Sequence, residues 1–449
     1  VTTQSQVTER AYTIGVTAGD WNQDGFPDLA VANIGVNILL INQTDGTFKQ
    51  MPLDETPEFT RLSTSLAMGD ITGDGLPDLF ALSYANDERI AERPEFDSDG
   101  NAVDAIAPLS IQAAHDQIYA SQSDGRPQKQ FVDSRHEQAC TGLGVVMTDI
   151  LPNRIGNEVF VANDVRNNQL WVSGDNGRLV DQAVLFGCAY GSVGSATAAM
   201  GVAAADLDHS GTLDFHVTNF ADQPVSLYMG GGDLFRDLNV QFDLSEKSRP
   251  MVGFGTQAID YSNNGWLDLA VANGHVEDLR HQRQEFRQSF QLFANRSGRF
   301  EQTTVSNCGF CEKPQLGRAL ARLDFNRDGK NDMVVTDMLG PTALLLNQSS
   351  APHHWIAFKL VGTKCERDSI GTRVFVDAGQ QHWTGWTTAG DGFLCKNEPV
   401  VHFGIGENQS VENVTIQWPG GDSQELGPLA IDQYHLVVQG QKKAFKLQP

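Results

Sequence analysis

The chain has 449 residues, 40% hydrophobic and 20% charged, with a formal net charge of −24. That length buries a large core and fits two or three domains or one repeat array. No run of about 18 apolar residues is present to span a membrane as a helix, and no Lys/Arg cluster is present to hold a phosphate backbone, so nucleic acid is not expected as a partner.

The chain opens Val1-Thr2-Thr3, without Met or a signal-like apolar stretch. This reads as a mature product whose targeting segment has been removed, or as an excised piece. A secreted, periplasmic or cell-surface location is expected.

The first marked feature is a nine-residue loop, Asp20 to Asp28. Side-chain oxygens fall at positions 1, 3, 5 and 9 (Asp20, Asn22, Asp24, Asp28), and the Phe26 carbonyl is available at position 7. Hard cations such as Ca²⁺ take several oxygen ligands at close range, and Gly25 permits the sharp turn. The opening is EF-hand-like. The exit is not: Val31 stands where a bidentate Glu belongs, and Leu29-Ala30-Val31-Ala32 reads as a strand.

Four more copies follow. Asp70, Thr72, Asp74 and Asp78, with the Leu76 carbonyl, form the second. Asp206, Asp208, Ser210 and Asp214, with Thr212, form the next. Asp260, Ser262, Asn264 and Asp268, with Trp266, carry only two carboxylates and predict the lowest affinity. Asp324, Asn326, Asp328 and Asp332, with Lys330, close the series. Asp149 to Glu158 is a degenerate copy, with Leu151 at position 3 and no Gly after position 5, and no metal is expected there. The five good loops hold 14 of the 56 acidic side chains, so five Ca²⁺ would take the net charge from −24 to −14.

The loops start about 50 to 65 residues apart for the most part, and a period of that size marks a repeat architecture. A larger gap after the second holds an insertion, roughly Asn86 to Ala114. A short strand precedes each loop and a hairpin follows, as in Asn37–Asn42 then Asp45-Gly46. Four short strands per unit, repeated radially, are the blades of a β-propeller. Six are implied, with a seventh built from the termini as an option. Gly274 to Phe290 interrupts one blade and reads as a helical excursion. Its His275, Glu277 and His281 are the one group with transition-metal ligand types, although a six-residue separation does not put the two histidines on one helix face.

There are six cysteines. An even count beside calcium loops points to an oxidising compartment. The expected disulfides are Cys308–Cys311, Cys365–Cys395 and Cys140–Cys188, although fifteen pairings remain open. Composition shifts near Ser350, and strand patterns such as Trp355–Leu360 and Arg373–Val376 suggest a compact all-β domain after it. The expected domains are 1–350 and 351–449.

The loops with their flanking strands resemble FG-GAP/VCBS propeller repeats. The stretches His354-Trp355-Ile356, Gly362-Thr363-Lys364, Arg367-Asp368, Ile370-Gly371, Gly390-Asp391-Gly392-Phe393-Leu394, His402-Phe403-Gly404-Ile405-Gly406 and Trp418-Pro419-Gly420-Gly421 resemble an ASPIC/UnbV domain. That order is similar to the cartilage acidic protein family, in a bacterial type without the EGF-like segment. The resemblance implies a secreted or cell-surface calcium-binding protein used in adhesion or recognition of a protein or glycan partner. It implies no reaction. The alternative is an extracytoplasmic enzyme on a propeller scaffold, processing polysaccharide or carrying out a metal-dependent oxidation at His275, Glu277 and His281. No G-x-S-x-G, P-loop or triad spacing names a catalytic residue. Trp383 and Trp386 could stack on sugars, with core packing as their competing fate.

Overall fold

The computed structural model describes residues 5, 11–53, 60–91, 107–130, 138–152, 154–174, 178–232, 234–278, 285–350 and 352–447. The fold is an all-β propeller followed by two smaller sheets. Blade 1 comprises Tyr12–Gly19, Asp28–Ile34, Ile38–Asn42 and Phe48–Pro52. The next four blades repeat this antiparallel meander, with inner strands Arg61–Gly69, Gly142–Thr148, Ala199–Ala205 and Gly253–Ile259. Blade 6 has three strands among the described residues, starting with Gly317–Leu323. Six blades therefore form, and no seventh appears among the described residues.

The strands form where alternating or continuous apolar runs meet Gly and Asp turns. The second strands of blades 2 to 5 are buried on both faces, as in Leu79-Phe80-Ala81-Leu82, because neighbouring blades cover them from either side, while that of blade 6 is half-buried. Phe160 of blade 3 stacks on Phe215 of blade 4, ring centroids 4.5 Å apart, and such aromatic contacts add to the area term that joins blades. All six inner strands carry a register shift near the end away from the acidic loops. A bulge there bends the strand and ends its pairing.

Residues 354–447 form a sandwich. One sheet runs Val401–Gly406, His354–Val361, Tyr434–Val438, Phe445–Lys446, and the other Gln381–Trp386, Arg373–Ala378, Asn413–Gln417, Ser423–Glu425. Ile356, Phe358, Val374, Val376, Ile405 and Val414 fill the space between them. Trp383 and Trp386 are 5% and 6% exposed, so core packing is the fate of both.

One segment leaves the sandwich and enters the propeller axis. Ala389-Gly390 adds a short strand to the inner strand of blade 3. Gly392 exchanges two backbone hydrogen bonds with Val202 of blade 4. Gln257 of blade 5 donates to the Asp391 carbonyl. The Cys395 thiol donates to Leu320 and Asn397 accepts from the Arg322 amide, both on blade 6. Lys396 donates to the Ala18 carbonyl of blade 1, and the Leu394 amide donates to Ser65 of blade 2. Ten residues thus bond to every blade. Neighbouring inner strands pack on each other from blade 1 through blade 6, and between blade 6 and blade 1 the Leu394–Asn397 stretch bonds to both sides.

The cysteines correct the sequence expectation. Cys308 and Cys311 are bonded, while Cys140, Cys188, Cys365 and Cys395 are free thiols. Cys395 lies on the axial segment against Leu320, whereas Cys365 sits beside Gln439 in the sandwich. Cys188 and Cys140 are buried separately. The expected helical excursion is a correction too: His275–Asp278 and 285–288 are bends and extended chain, where the His275 amide pairs with Phe286. Residues 279–284, and His281 with them, lie outside the described residues.

Gly390 has φ of +72°, and a Cβ there would stand 2.2 Å from the Val145 carbonyl oxygen. Gly390→Val is expected to destabilise the whole chain by on the order of 3 kcal/mol, read as an earlier midpoint in urea unfolding. An unchanged midpoint would show that the axial segment holds nothing.

Candidate metal centres

Each of the five loops joins the inner strand of its blade to the second strand, and one bonding scheme repeats in all of them. The position-1 carboxylate accepts the amide of the loop glycine, as Asp20 does from Gly25 at 2.7 Å and Asp324 from Gly329 at 2.7 Å. Asp20 accepts the position-5 amide as well. Position 4 is left-handed even without glycine, at Gln23, His209, Asn263 and Arg327.

Position 9 does something that the loop spacing does not reveal. Asp28 accepts the amide of Trp21 within the loop and the amide of Asn42 at the end of the third strand. Asp214 does the same with Leu207 and Gly230, Asp268 with Tyr261 and Asn295, and Asp332 with Phe325 and Asn347. This carboxylate therefore clamps three parts of the blade. A signal was present in the sequence as the Asn at or just past the end of the third strand in blades 1, 5 and 6 (Asn42, Asn295, Asn347), but only the sheet register shows its use.

The donor set fits a hard cation. In the third good loop, ligand oxygens of Asp206, Asp208 and Asp214 all lie within 4.8 Å of one another. Two oxygens on one Ca²⁺ are separated by at most about 5 Å, since each bond is 2.3–2.6 Å. In the second, Asp78 Oδ1 is buried without a hydrogen-bond partner. Such an atom costs free energy unless something satisfies it. Burial raises the carboxyl pKa at positions 1 and 9 of several loops, and at Asp28, Asp78, Asp206 and Asp268 a neighbouring carboxylate adds to it. Asp28, Asp206 and Asp260 are pushed up to about 6, Asp78 to about 7 and Asp268 to about 8. A divalent cation would reverse that cause by supplying the missing positive charge.

The sandwich packs on this face of the propeller and reaches every one of these loops. The glycine after position 5 is where it touches: Gly25 lies against Arg367, Gly75 against the Lys364 carbonyl, Gly211 against Thr384, Gly265 against Trp383 and Gly329 against Trp355. A Cβ at Gly329 would come within 1.9 Å of the Trp355 indole, so that glycine serves a close approach as well as a φ of +82°. Tyr434 donates to Asp324 at 2.6 Å. Arg367 lies 3.3 Å from Asp20, and the Asp20 amide donates to Asp368. The Trp383 indole donates to the Gly265 carbonyl.

The degenerate loop is built differently. Arg373 of the sandwich pairs with Asp149 at 3.0 Å, and Glu158 clamps the amides of Ile150 and Leu151. A guanidinium from the sandwich thus supplies positive charge to the one loop that lacks the oxygen set. Glu158 is pushed up to about 8, by burial first.

The remaining candidate residues are also placed. His275 is buried, its Nδ1 accepts the Glu277 amide, and its ring meets Phe220 edge-on at 5.2 Å. His275 and Glu277 lie on the opposite face, at the mouth of an axial cavity. Among the described residues, the Asp206 group is the one set of three or more His, Cys, Asp or Glu side chains close enough to share an ion.

Two family models match the chain, an FG-GAP-like repeat over residues 8–81 and ASPIC and UnbV over residues 362–444. Cartilage acidic protein 1 of Mus musculus is 23% identical over 436 residues, 91% of this chain and 61% of the relative. The Homo sapiens protein is 23% identical over 290 residues, 62% of this chain and 41% of the relative. The chain therefore spans less than two thirds of the length of these curated relatives. Among solved structures, a lectin of Burkholderia pseudomallei aligns with TM-score 0.44 at 11% identity, covering 73% of this chain and 79% of that one. A rhamnogalacturonan lyase of Bacillus licheniformis aligns with TM-score 0.40 at 9% identity, covering 96% and 73%. At these scores the likeness says nothing about a ligand.

Two outcomes are expected. Unfolded carboxyls titrate near 4, below the values of about 6 to 8 held by Asp28, Asp78 and Asp268 in the cation-free fold. The folded chain then keeps protons that the unfolded chain gives up, so this stability is full below about pH 4 and lost as pH rises through 8. Thermal melts in chelator should fall from pH 5 to pH 8, with the rise on adding calcium largest at pH 8. A gain from calcium that does not depend on pH would contradict this. Arg373→Met should cost about 3 kcal/mol in denaturant unfolding, because it leaves Asp149 without its partner.

Proposed function

We propose that this chain, which matches an FG-GAP-like repeat and an ASPIC and UnbV domain and has the cartilage acidic proteins among its relatives, is a calcium-loaded, extracytoplasmic scaffold for recognising a protein or glycan partner. The carrying observation is that the sandwich meets all five oxygen loops at their glycines. A cation held where sandwich and blade meet has a structural task. Asp20, Asn22, Asp24, Asp28 and the Phe26 carbonyl would hold it in blade 1, with the equivalent positions serving blades 2, 4, 5 and 6. Bound calcium supplies positive charge to the buried carboxylates. The chain's own residues do the rest: position 9 ties the loop to the third strand, and Arg367, Tyr434 and Trp383 seat the sandwich on it.

On this reading the domains are 1–350 and 351–449, and the sandwich is committed to the calcium face. The opposite face, formed by the connections between second and third strands, is left for partners, and loops on a rigid scaffold are where binding usually resides. The Cys308–Cys311 disulfide fits an oxidising compartment.

The test is elemental analysis joined to calorimetry. Near five calcium ions per chain are expected after dialysis, and chelator should lower the melting temperature by about 10 °C or more. Asp206→Asn with Asp208→Asn should remove one ion and part of that shift. A melt indifferent to chelator would sink the proposal.

A further inference from the structure

The axial segment makes the propeller's centre a cup rather than a channel. Phe393 and Leu394 form its floor, and the rim is drawn from blades 1 to 5 on the face away from the sandwich. The cavity holds about 570 Å³, within the range of sites that enclose a small organic molecule. Its depth is apolar: Met200, Phe254 and Phe393 form a buried cluster, with Phe220 and Leu143 packed against it.

The polar side chains in the wall are mostly engaged. Thr64 donates to the Gly142 carbonyl at 2.7 Å, and Gln223 accepts the Ala198 amide at 2.7 Å. Two carboxyls line the cavity, Glu277 at the mouth and Asp164. Asp164 accepts from the Tyr84 hydroxyl at 2.7 Å, its own amide is held by the Thr141 carbonyl, and a carboxyl has further acceptor positions. A ligand rich in hydroxyls would lose hydrogen bonds against such walls. A ligand with a single donor would not.

We propose that this cup binds a neutral small molecule with an apolar, ring-containing body and one hydrogen-bond donor, the body lying against Met200, Phe220, Phe254 and Phe393 and the donor on Asp164. The apolar lining of the cup favours a neutral body over a bare charge. Nothing in this site depends on the metal loops, so it stands apart from the calcium reading and extends it with a ligand class.

The test uses the full chain and two matched probes. N-phenyl-1-naphthylamine has an N–H donor, and 1-phenoxynaphthalene has the same shape without one. Fluorescence titration should show one saturable amine site per chain, with the amine bound roughly fivefold tighter than the ether, as one hydrogen bond allows. Asp164→Leu should erase that preference while leaving ether binding in place. Val276→Trp should weaken both probes at least tenfold by filling the mouth; Val276 is 44% exposed, so this variant keeps the test open if the buried substitution fails to fold. Melting curves accompany each variant. Equal affinity for the two probes, absence of saturation, or binding indifferent to Val276→Trp would overturn the proposal.

Discussion

The structure depends on a ten-residue thread that passes from the sandwich through the propeller axis. Propeller blades attract their neighbours through apolar area, which is strong but non-directional. Hydrogen bonds from Ala389–Glu398 to all six inner strands add direction, and those from Leu394–Asn397 reach both sides of the seam between blades 6 and 1. Because Asp391 and Gln257 are buried, each of these bonds would leave a costly unpaired group if the thread were withdrawn. The sandwich is therefore built into the propeller's closure, as well as packed on its face.

The acidic loops meet a second constraint. A blade needs its second strand turned sharply off the first and tied to the third, and in blades 1, 4, 5 and 6 a buried carboxylate at position 9 does both at once. That solution buries carboxyls beside one another under the sandwich, and burial first, neighbouring carboxylates second, raises the pKa values of Asp28, Asp78 and Asp268. Blade 3 shows the alternative, with one arginine from the sandwich set beside Asp149. In blade 3 positive charge is brought to the loop where blade and sandwich meet, and on the calcium reading a cation would do the same in the other five.

These features separate the two faces of the molecule. On one, loops and sandwich lock together through backbone approaches that glycine alone permits, as at Gly329 and Trp355. On the other, bulged strand ends surround an apolar cup floored by the thread. Rigidity on the first face is what gives the second a fixed shape, since the floor of the cup is the part of the sandwich that the blades hold.

The repeat, its six units and the metal-type loops were legible in the sequence because their physics is local. A cation needs oxygens at fixed positions within nine residues, a tight turn needs glycine at one of them, and a strand needs its apolar pattern beside both. The double duty of Asp28 and its equivalents was half legible, since the ligand role follows from spacing while the clamp on Asn42 follows from sheet register. Cys308–Cys311 was legible from its C-x-x-C spacing; the separation of the other four cysteines, the Arg373–Asp149 contact, the threaded axis and the cup were not. Each depends on residues distant in sequence, and no spacing names a partner that only packing brings near. Cys365 and Cys395 look paired along the chain because they share a domain. They are held apart in space because one lies in the sandwich and the other in the propeller axis.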